Sequence, residues 1–274
     1  MSTTSDLFGL TGRTALITGA SRGIGRAIAL GYAGAGADIA LLARSTTALE
    51  ELAGEIEGLG RRALVLTCDV TDRDQLRHSI VSTITEFGQI DILVNNAGGF
   101  SHAGPFVDLQ PQDWSEVMQL NFETVVFLCR ELGRHFLKRG SGSVLNISSI
   151  AGTAGVPMLS TYAAAKAAIV SLTRSLAAEW SSHGVRVNAL TPGWISTELT
   201  KTFASDPEAS AGLLSAVPAG RWGEPEDVVG AAIFLAGDSA RLISGTCLTI
   251  DGATTAYAGG PAMLQFLGLG RIPA

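Results

Sequence analysis

Cysteine, histidine and surplus positive charge are all scarce in this chain of 274 residues, and each shortage removes a class of function. The three cysteines, Cys68, Cys129 and Cys247, stand far apart without the paired spacing of a metal site or a redox motif, so they read as small buried hydrophobes of a cytoplasmic protein. The four histidines, His78, His102, His135 and His183, show no ligand spacing, and no metal is expected. Lysine and arginine number 19 against 25 aspartates and glutamates, and the resulting net charge of −6 argues against a polyanion-binding surface, so no nucleic-acid partner is expected. No apolar run approaches the roughly 20 residues of a membrane-spanning helix. Met1 to Asp6 carries neither the basic nor the apolar part of a secretion signal. No Pro/Ser-rich linker, charge block or low-complexity tract divides the chain, which predicts one domain over 1–274.

What is present is a regular alternation. Apolar runs that read as strands recur at Arg13–Thr18, Ala37–Ala43, Ala63–Cys68, Asp91–Val94, Val144–Ile147, Val185–Leu190 and Thr246–Gly252. Helical stretches fall between them at Arg26–Ala33, Thr46–Leu59, Thr71–Phe87, Pro111–Arg139, Tyr162 to about Ser182 and Pro225–Asp238. Such alternation predicts an α/β fold with a parallel sheet. The interior Asn121 of the longest helix implies either a buried, partnered amide or a helix irregularity, because Asn prefers caps. From Trp194 to Glu224 the pattern breaks into short apolar pieces, which predicts a lid over a ligand.

Two stretches carry chemistry. Thr18-Gly19-Ala20-Ser21-Arg22-Gly23-Ile24-Gly25 lies between a strand and a helix, the context in which glycines let a pyrophosphate approach the backbone and the helix N-terminus attracts it. The second strand ends at Arg44 with no carboxylate, and Arg22 adds another cation, a pair that favours a 2′-phosphate and so NADP(H) over NAD(H). Tyr162 and Lys166, four apart in an Ala-rich helix, share one face. Ser160 or Thr161 is expected to cap that helix, placing Tyr162 in the first turn, where the macrodipole and the ammonium both favour phenolate. The pair Ser148-Ser149 closes a strand, the edge of the sheet at which open α/β folds bind ligands. Asn95-Asn96-Ala97-Gly98-Gly99 closes another, and its small residues suit a flat ligand.

Together these segments resemble the short-chain dehydrogenase/reductase family, the match running from about Leu7 to Ala256 and including Pro192-Gly193. The resemblance implies a single Rossmann-type doubly wound domain with a seven-stranded parallel sheet, helices on both faces, and a homotetramer. It selects Ser149 over Ser148 as the hydroxyl that holds the substrate oxygen. It makes Tyr162 the proton donor, Lys166 the group that lowers the phenol and binds the nicotinamide ribose, and Asn121 the holder of a relay water. The implied cofactor contacts are Gly19, Ser21, Arg22, Gly23, Ile24 and Gly25 at the phosphates, Arg44 at the 2′-phosphate, and Asp69 and Val70 at the adenine. Asn96, Ala97 and Gly98 fall on the adenosine side and in central strand packing, and Pro192, Gly193, Ile195 and Thr197 at the nicotinamide.

For substrate, Leu7–Arg13 looks most like the gluconate-type sugar-acid dehydrogenases, with 3-oxoacyl-carrier-protein reductases also similar. The segments expected to meet substrate, Gly99–His102, Val156–Leu159 and Trp194, are mainly apolar, which favours a small ketone with few hydroxyls. Only Ser101 and His102 would serve a sugar acid, and only Lys138 and Arg139 an acidic carrier protein. A sensor that binds NADP(H) without turnover would commonly lack the tyrosine or the lysine, and both are here. The apolar tail Met263–Leu269 has no place in the expected sheet.

Overall fold

The computed structural model describes residues 7–257. The tail 258–274, with its apolar Met263–Leu269, lies outside them. Seven strands, β1 (Thr14–Thr18), β2 (Asp38–Ala43), β3 (Ala63–Thr67), β4 (Ile92–Asn95), β5 (Gly142–Ile147), β6 (Val185–Pro192) and β7 (Cys247–Ile250), pair in the order β3-β2-β1-β4-β5-β6-β7. Every neighbouring pair is parallel.

Alternation of side chains along the strands builds two cores. Ile17, Ile39, Val94 and Leu145 pack against helices α1 (Gly23–Gly34), α2 (Thr46–Gly58) and α9 (Glu226–Ala236). Leu16, Leu42, Leu93 and Val144 point the other way, onto α3 (Arg73–Phe87), α5 (Thr124–Arg139) and α6 (Ser160–Trp180). With both faces covered, the central strands read as near-continuous apolar runs, and that is why they were legible. The winding reverses between β1 and β4, so the carboxyl ends of those two strands frame a crevice.

The expected helix over 111–139 is interrupted. Pro111–Met118 (α4) passes into a π-turn, Gln119–Glu123, before α5 begins. The cause is Asn121, whose fully buried amide donates to Val117 O at 2.8 Å and to Gly99 O at 2.7 Å and accepts from Gly99 N at 3.0 Å. Thr124 reinforces the wide turn, its hydroxyl donating to Gln119 O at 3.0 Å and Val70 O at 2.9 Å.

The cap of α6 also differs from expectation. Leu159 occupies the N-cap without a side-chain capping bond, and Ser160 and Thr161 lie inside the first turn. Thr161 is buried and its hydroxyl has no partner among the described residues. Tyr162 nonetheless falls in that first turn, where the dipole argument places it. The stretch 194–224 is less irregular than expected, since it contains two short helices, α7 (Lys201–Ser205) and α8 (Pro207–Leu214). Trp222 stacks edge-on against Trp194 and donates to Ser210 Oγ at 2.8 Å, which ties α8 to the strand end.

Candidate active site

The side chains expected to be catalytic hang from the ends of β5 and α6, and a buried polar chain fixes their relative position. Asn95 on β4 donates to Asn146 on β5 at 2.8 Å, and Asn146 donates to Thr173 on α6 at 2.9 Å. The two serines divide their work. Ser148 is buried and its hydroxyl is used on Lys166 O at 2.8 Å, a contact that clamps α6 to the strand. Ser149 accepts from Ala151 N at 3.1 Å and lies beside the Tyr162 phenol, whose ionised form it favours. Local geometry thus separates two serines that the residues alone left equivalent.

Lys166 is almost wholly buried, with its ammonium donating to Ile147 O at 2.9 Å and lying 5.5 Å from the Tyr162 ring centroid. Burial pushes the ammonium down to about 8. Burial likewise pushes the Tyr162 phenol up to about 12, opposed by the bond from Ser149. In the protein alone burial dominates the phenol, and the ammonium donates to a carbonyl rather than to the phenol oxygen.

The sign of the lysine shift gives a measurable result. Between about pH 8 and the ordinary value of 10.5, the unfolded chain holds the Lys166 proton and the folded chain does not, so stability rises with pH through that window. Cys68, Cys129 and Cys247, all raised from 9.0 by burial, act oppositely above pH 9. Comparison with Lys166→Met removes their contribution. The difference in urea-unfolding free energy, wild type minus variant, is expected to climb by roughly 2 kcal/mol from pH 8 to 10. A flat difference would mean that the ammonium is solvated.

The site opens into a cleft of about 220 Å³ lined by Ser149, Tyr162, Lys166, Pro192, Gly193, Ile195 and Thr197. It shares walls at Gly19, Arg22, Ala97, Gly98, Phe100 and Leu199 with a larger cavity of about 740 Å³, which also holds Ser21, Arg44, Asp69 and Val70. Gly23 and Ile24 bring the start of α1 to the cleft, and its N-cap residue Arg22 makes no side-chain capping bond, so the first-turn N–H groups are free for an anion. Arg22 and Arg44 are exposed and have no carboxylate partner among the described residues. Asp69 is held below the usual carboxylate range, chiefly by bonds from the Thr71 N–H and hydroxyl, with a smaller effect from Arg44. A phosphorylated dinucleotide fits this donor set.

Three of the expected site residues also have packing roles. Gly25 lines neither cavity; a Cβ there would stand 2.3 Å from Gly19 O, so its role is close packing of α1 on the turn. Asn96 lines the cleft and donates its amide to Thr18 O at 2.9 Å and Gly19 O at 3.1 Å, the central strand packing expected of it. Asn121 also lines neither cavity, but a Cβ at Gly98 would fall 2.7 Å from Asn121 Oδ1 and 3.2 Å from Lys166 Nζ, so a small space separates amide and ammonium.

On the substrate side Phe100 meets Tyr162 edge-on at 5.7 Å, and Ile150, Val156, Leu159 and Trp194 complete an apolar wall. Ser101 and His102 do not line this cleft; Ser101 lines the larger cavity, and His102 lines a small adjoining hollow that shares Phe100, Leu159 and Tyr162 with the cleft. Glu198, Leu199 and Thr200 do line it, and no sequence pattern singled them out. Among the described residues no group of three or more His, Cys, Asp or Glu is placed to hold a metal. No described helix is long and apolar enough to cross a membrane.

Comparison with known proteins follows the same line. Residues 19–255 match the family model described as enoyl-(acyl carrier protein) reductase. The chain is 38% identical over 250 residues to gluconate 5-dehydrogenase of Gluconobacter oxydans, covering 91% of this chain and 97% of that one. It is 42% identical to 2-dehydro-3-deoxy-D-gluconate 5-dehydrogenase of Pseudoalteromonas atlantica, covering 89% and 96%. A solved gluconate 5-dehydrogenase of Burkholderia cenocepacia, in complex with NADP and tartrate, superposes with a TM-score of 0.89 at 37% identity over 93% of this chain and 100% of that one.

Proposed function

The chain belongs to the short-chain dehydrogenase/reductase family, and from that premise we propose that it interconverts a ketone and a secondary alcohol with NADP(H). The bound cofactor would supply or accept the hydride. Ser149 and Tyr162 are the donors aimed at the substrate oxygen, where charge develops as hydride arrives. A phenol pushed up to about 12 stands protonated at neutral pH, ready for reduction, and an alkoxide is basic enough to take its proton. Lys166 has its ammonium within 5.5 Å of the ring, and in the reverse direction it favours the phenolate. Asn121, across Gly98 from Lys166, is suited to hold a relay water. The NADP in the Burkholderia enzyme and the free guanidinium groups of Arg22 and Arg44 support the phosphorylated cofactor.

For substrate, the apolar wall supports a small, mainly apolar ketone. The single observation behind that reading is the lining itself: among the described residues its charged members are Arg22 at the phosphate turn, buried Lys166, and the acid Glu198, so none of them offers a further cation to a substrate carboxylate. The names of the relatives favour a second reading, a gluconate-type sugar acid, and the tartrate of the Burkholderia enzyme is itself a hydroxy acid. Initial rates with both nicotinamide cofactors on a panel of apolar ketones, 5-keto sugar acids and 3-oxoacyl thioesters decide between them. The lining argument predicts at least tenfold higher kcat/KM on neutral ketones, and preference for the acids would reject it.

A homotetramer fits the exposed edge strand β7 and the solvent-facing Leu242 and Leu248, which light scattering of the purified protein tests. Free thiols at Cys68, Cys129 and Cys247 fit a cytoplasmic setting.

A further inference from the structure

The segment Ile195–Thr200, which follows β6 and lines the cleft, is held by backbone bonds at its base, by a backbone bond from Thr200 N to Thr197 O at 3.1 Å, and by the Thr200 side chain. Its base is fixed to the chain ahead of α9, where Ser196 N donates to Gly223 O at 2.7 Å and Gly223 N to Trp194 O at 2.9 Å. Its far part touches both banks. A Cβ at Gly23 would meet the Thr197 methyl at 3.3 Å, and one at Gly99 would meet a Leu199 methyl at 3.5 Å. Leu199 walls the catalytic cleft and the larger cavity alike.

Between base and far part the Thr200 hydroxyl gathers the turn. It donates to Ile195 O at 2.6 Å, accepts from Thr197 N at 3.0 Å and lies 3.3 Å from the Thr197 hydroxyl. Thr200 also occupies the N-cap of α7, the position from which a threonine ordinarily accepts an N–H of the helix's first turn, yet it makes no capping bond. The hydroxyl is turned backwards, and α7 begins uncapped so that the crossing segment is tied.

We propose that Thr200 is a positioning residue for the cofactor, its hydroxyl holding Thr197 and Leu199 over the dinucleotide and so slowing its release. This rests on the NADP(H) reading above. Thr200→Val keeps the shape and removes the hydroxyl; Thr200→Ser restores the hydroxyl. Stopped-flow NADPH fluorescence is expected to show about tenfold faster dissociation from Thr200→Val and a dissociation constant raised to match, with kcat within threefold of wild type. Thr200→Ser is expected within twofold of wild type. In the cofactor-free protein, hydrogen exchange at the Thr197 amide should quicken in Thr200→Val alone. Unchanged NADPH release from Thr200→Val overturns the proposal, as does equal impairment of Thr200→Ser. Wild-type protein that takes up neither NADPH nor NADH overturns the cofactor reading beneath it, while the amide exchange still reports on the tie.

Discussion

Tyr162→Phe lowers kcat by about a thousandfold or more, while NADPH binds within about twofold of wild type. The substitution removes one oxygen from a side chain whose ring rests edge-on against Phe100 and within 5.5 Å of the Lys166 ammonium, so packing is retained and only the proton is lost. General acid catalysis contributes roughly 10² to 10⁴ in rate, and here the phenol also supplies one of two donors to the developing oxyanion, which places the loss at the upper part of that span. Single-turnover reduction monitored by NADPH absorbance, with affinity measured separately by fluorescence, separates chemistry from binding. A variant that reduces ketones at the wild-type rate would assign the proton to another group.

Arg44→Asp reverses the cofactor preference, with kcat/KM for NADPH falling by about a hundredfold and that for NADH rising. Arg44 is exposed beside Asp69 in the larger cavity and, with Arg22, supplies the positive charge there. A charge-assisted bond to a phosphate contributes about 1.5 to 3 kcal/mol, and an aspartate in its place adds repulsion of the 2′-phosphate while offering an acceptor to a ribose hydroxyl. Steady-state kinetics with both cofactors at low and high salt checks this, and the NADPH loss shrinks as salt rises. An unchanged ratio would place the 2′-phosphate elsewhere.

The parts of the molecule that were legible from residues alone are those in which local pattern and tertiary role coincide. Ala15-Leu16-Ile17 and Val144-Leu145 are apolar on both faces because helices cover both sides of the sheet, and the glycine turn is recognisable because strand and helix flank it. Asn121 announced a buried amide or an irregularity and proved to be both. Capping of α6 was misjudged because a hydroxyl near a helix start is only a candidate; burial of Thr161 decided the matter, and burial is a tertiary property. The surroundings of Tyr162 and Lys166 were hidden for a similar reason. Spacing of four puts the two side chains on one face, but the ammonium finds Ile147 O, a carbonyl brought there by β5. Ser101 and His102 were the few polar groups of the segments expected to meet substrate, and they line neighbouring cavities instead. Thr200 has no signature at all, since its partners are the carbonyl and amide of its own turn and any Thr-rich loop would read alike.

The π-turn at Gln119–Glu123 has a bearing on any effort to regularise this chain. Each residue advances an α-helix by about 100°, so the surplus residue acts as a phase setter between two sections of one rod. The section before it turns Val117 inward and delivers Asn121 to Gly99; the section after it aligns Leu128, Leu132 and Phe136 with the sheet. Deleting one residue would restore an ideal helix, yet the two sections could no longer both be in phase, and the larger apolar one would dictate the outcome. A smoother rod with its amide swung off the crevice is the foreseeable product, with Gly99 N and O left without the partner that Asn121 gives them.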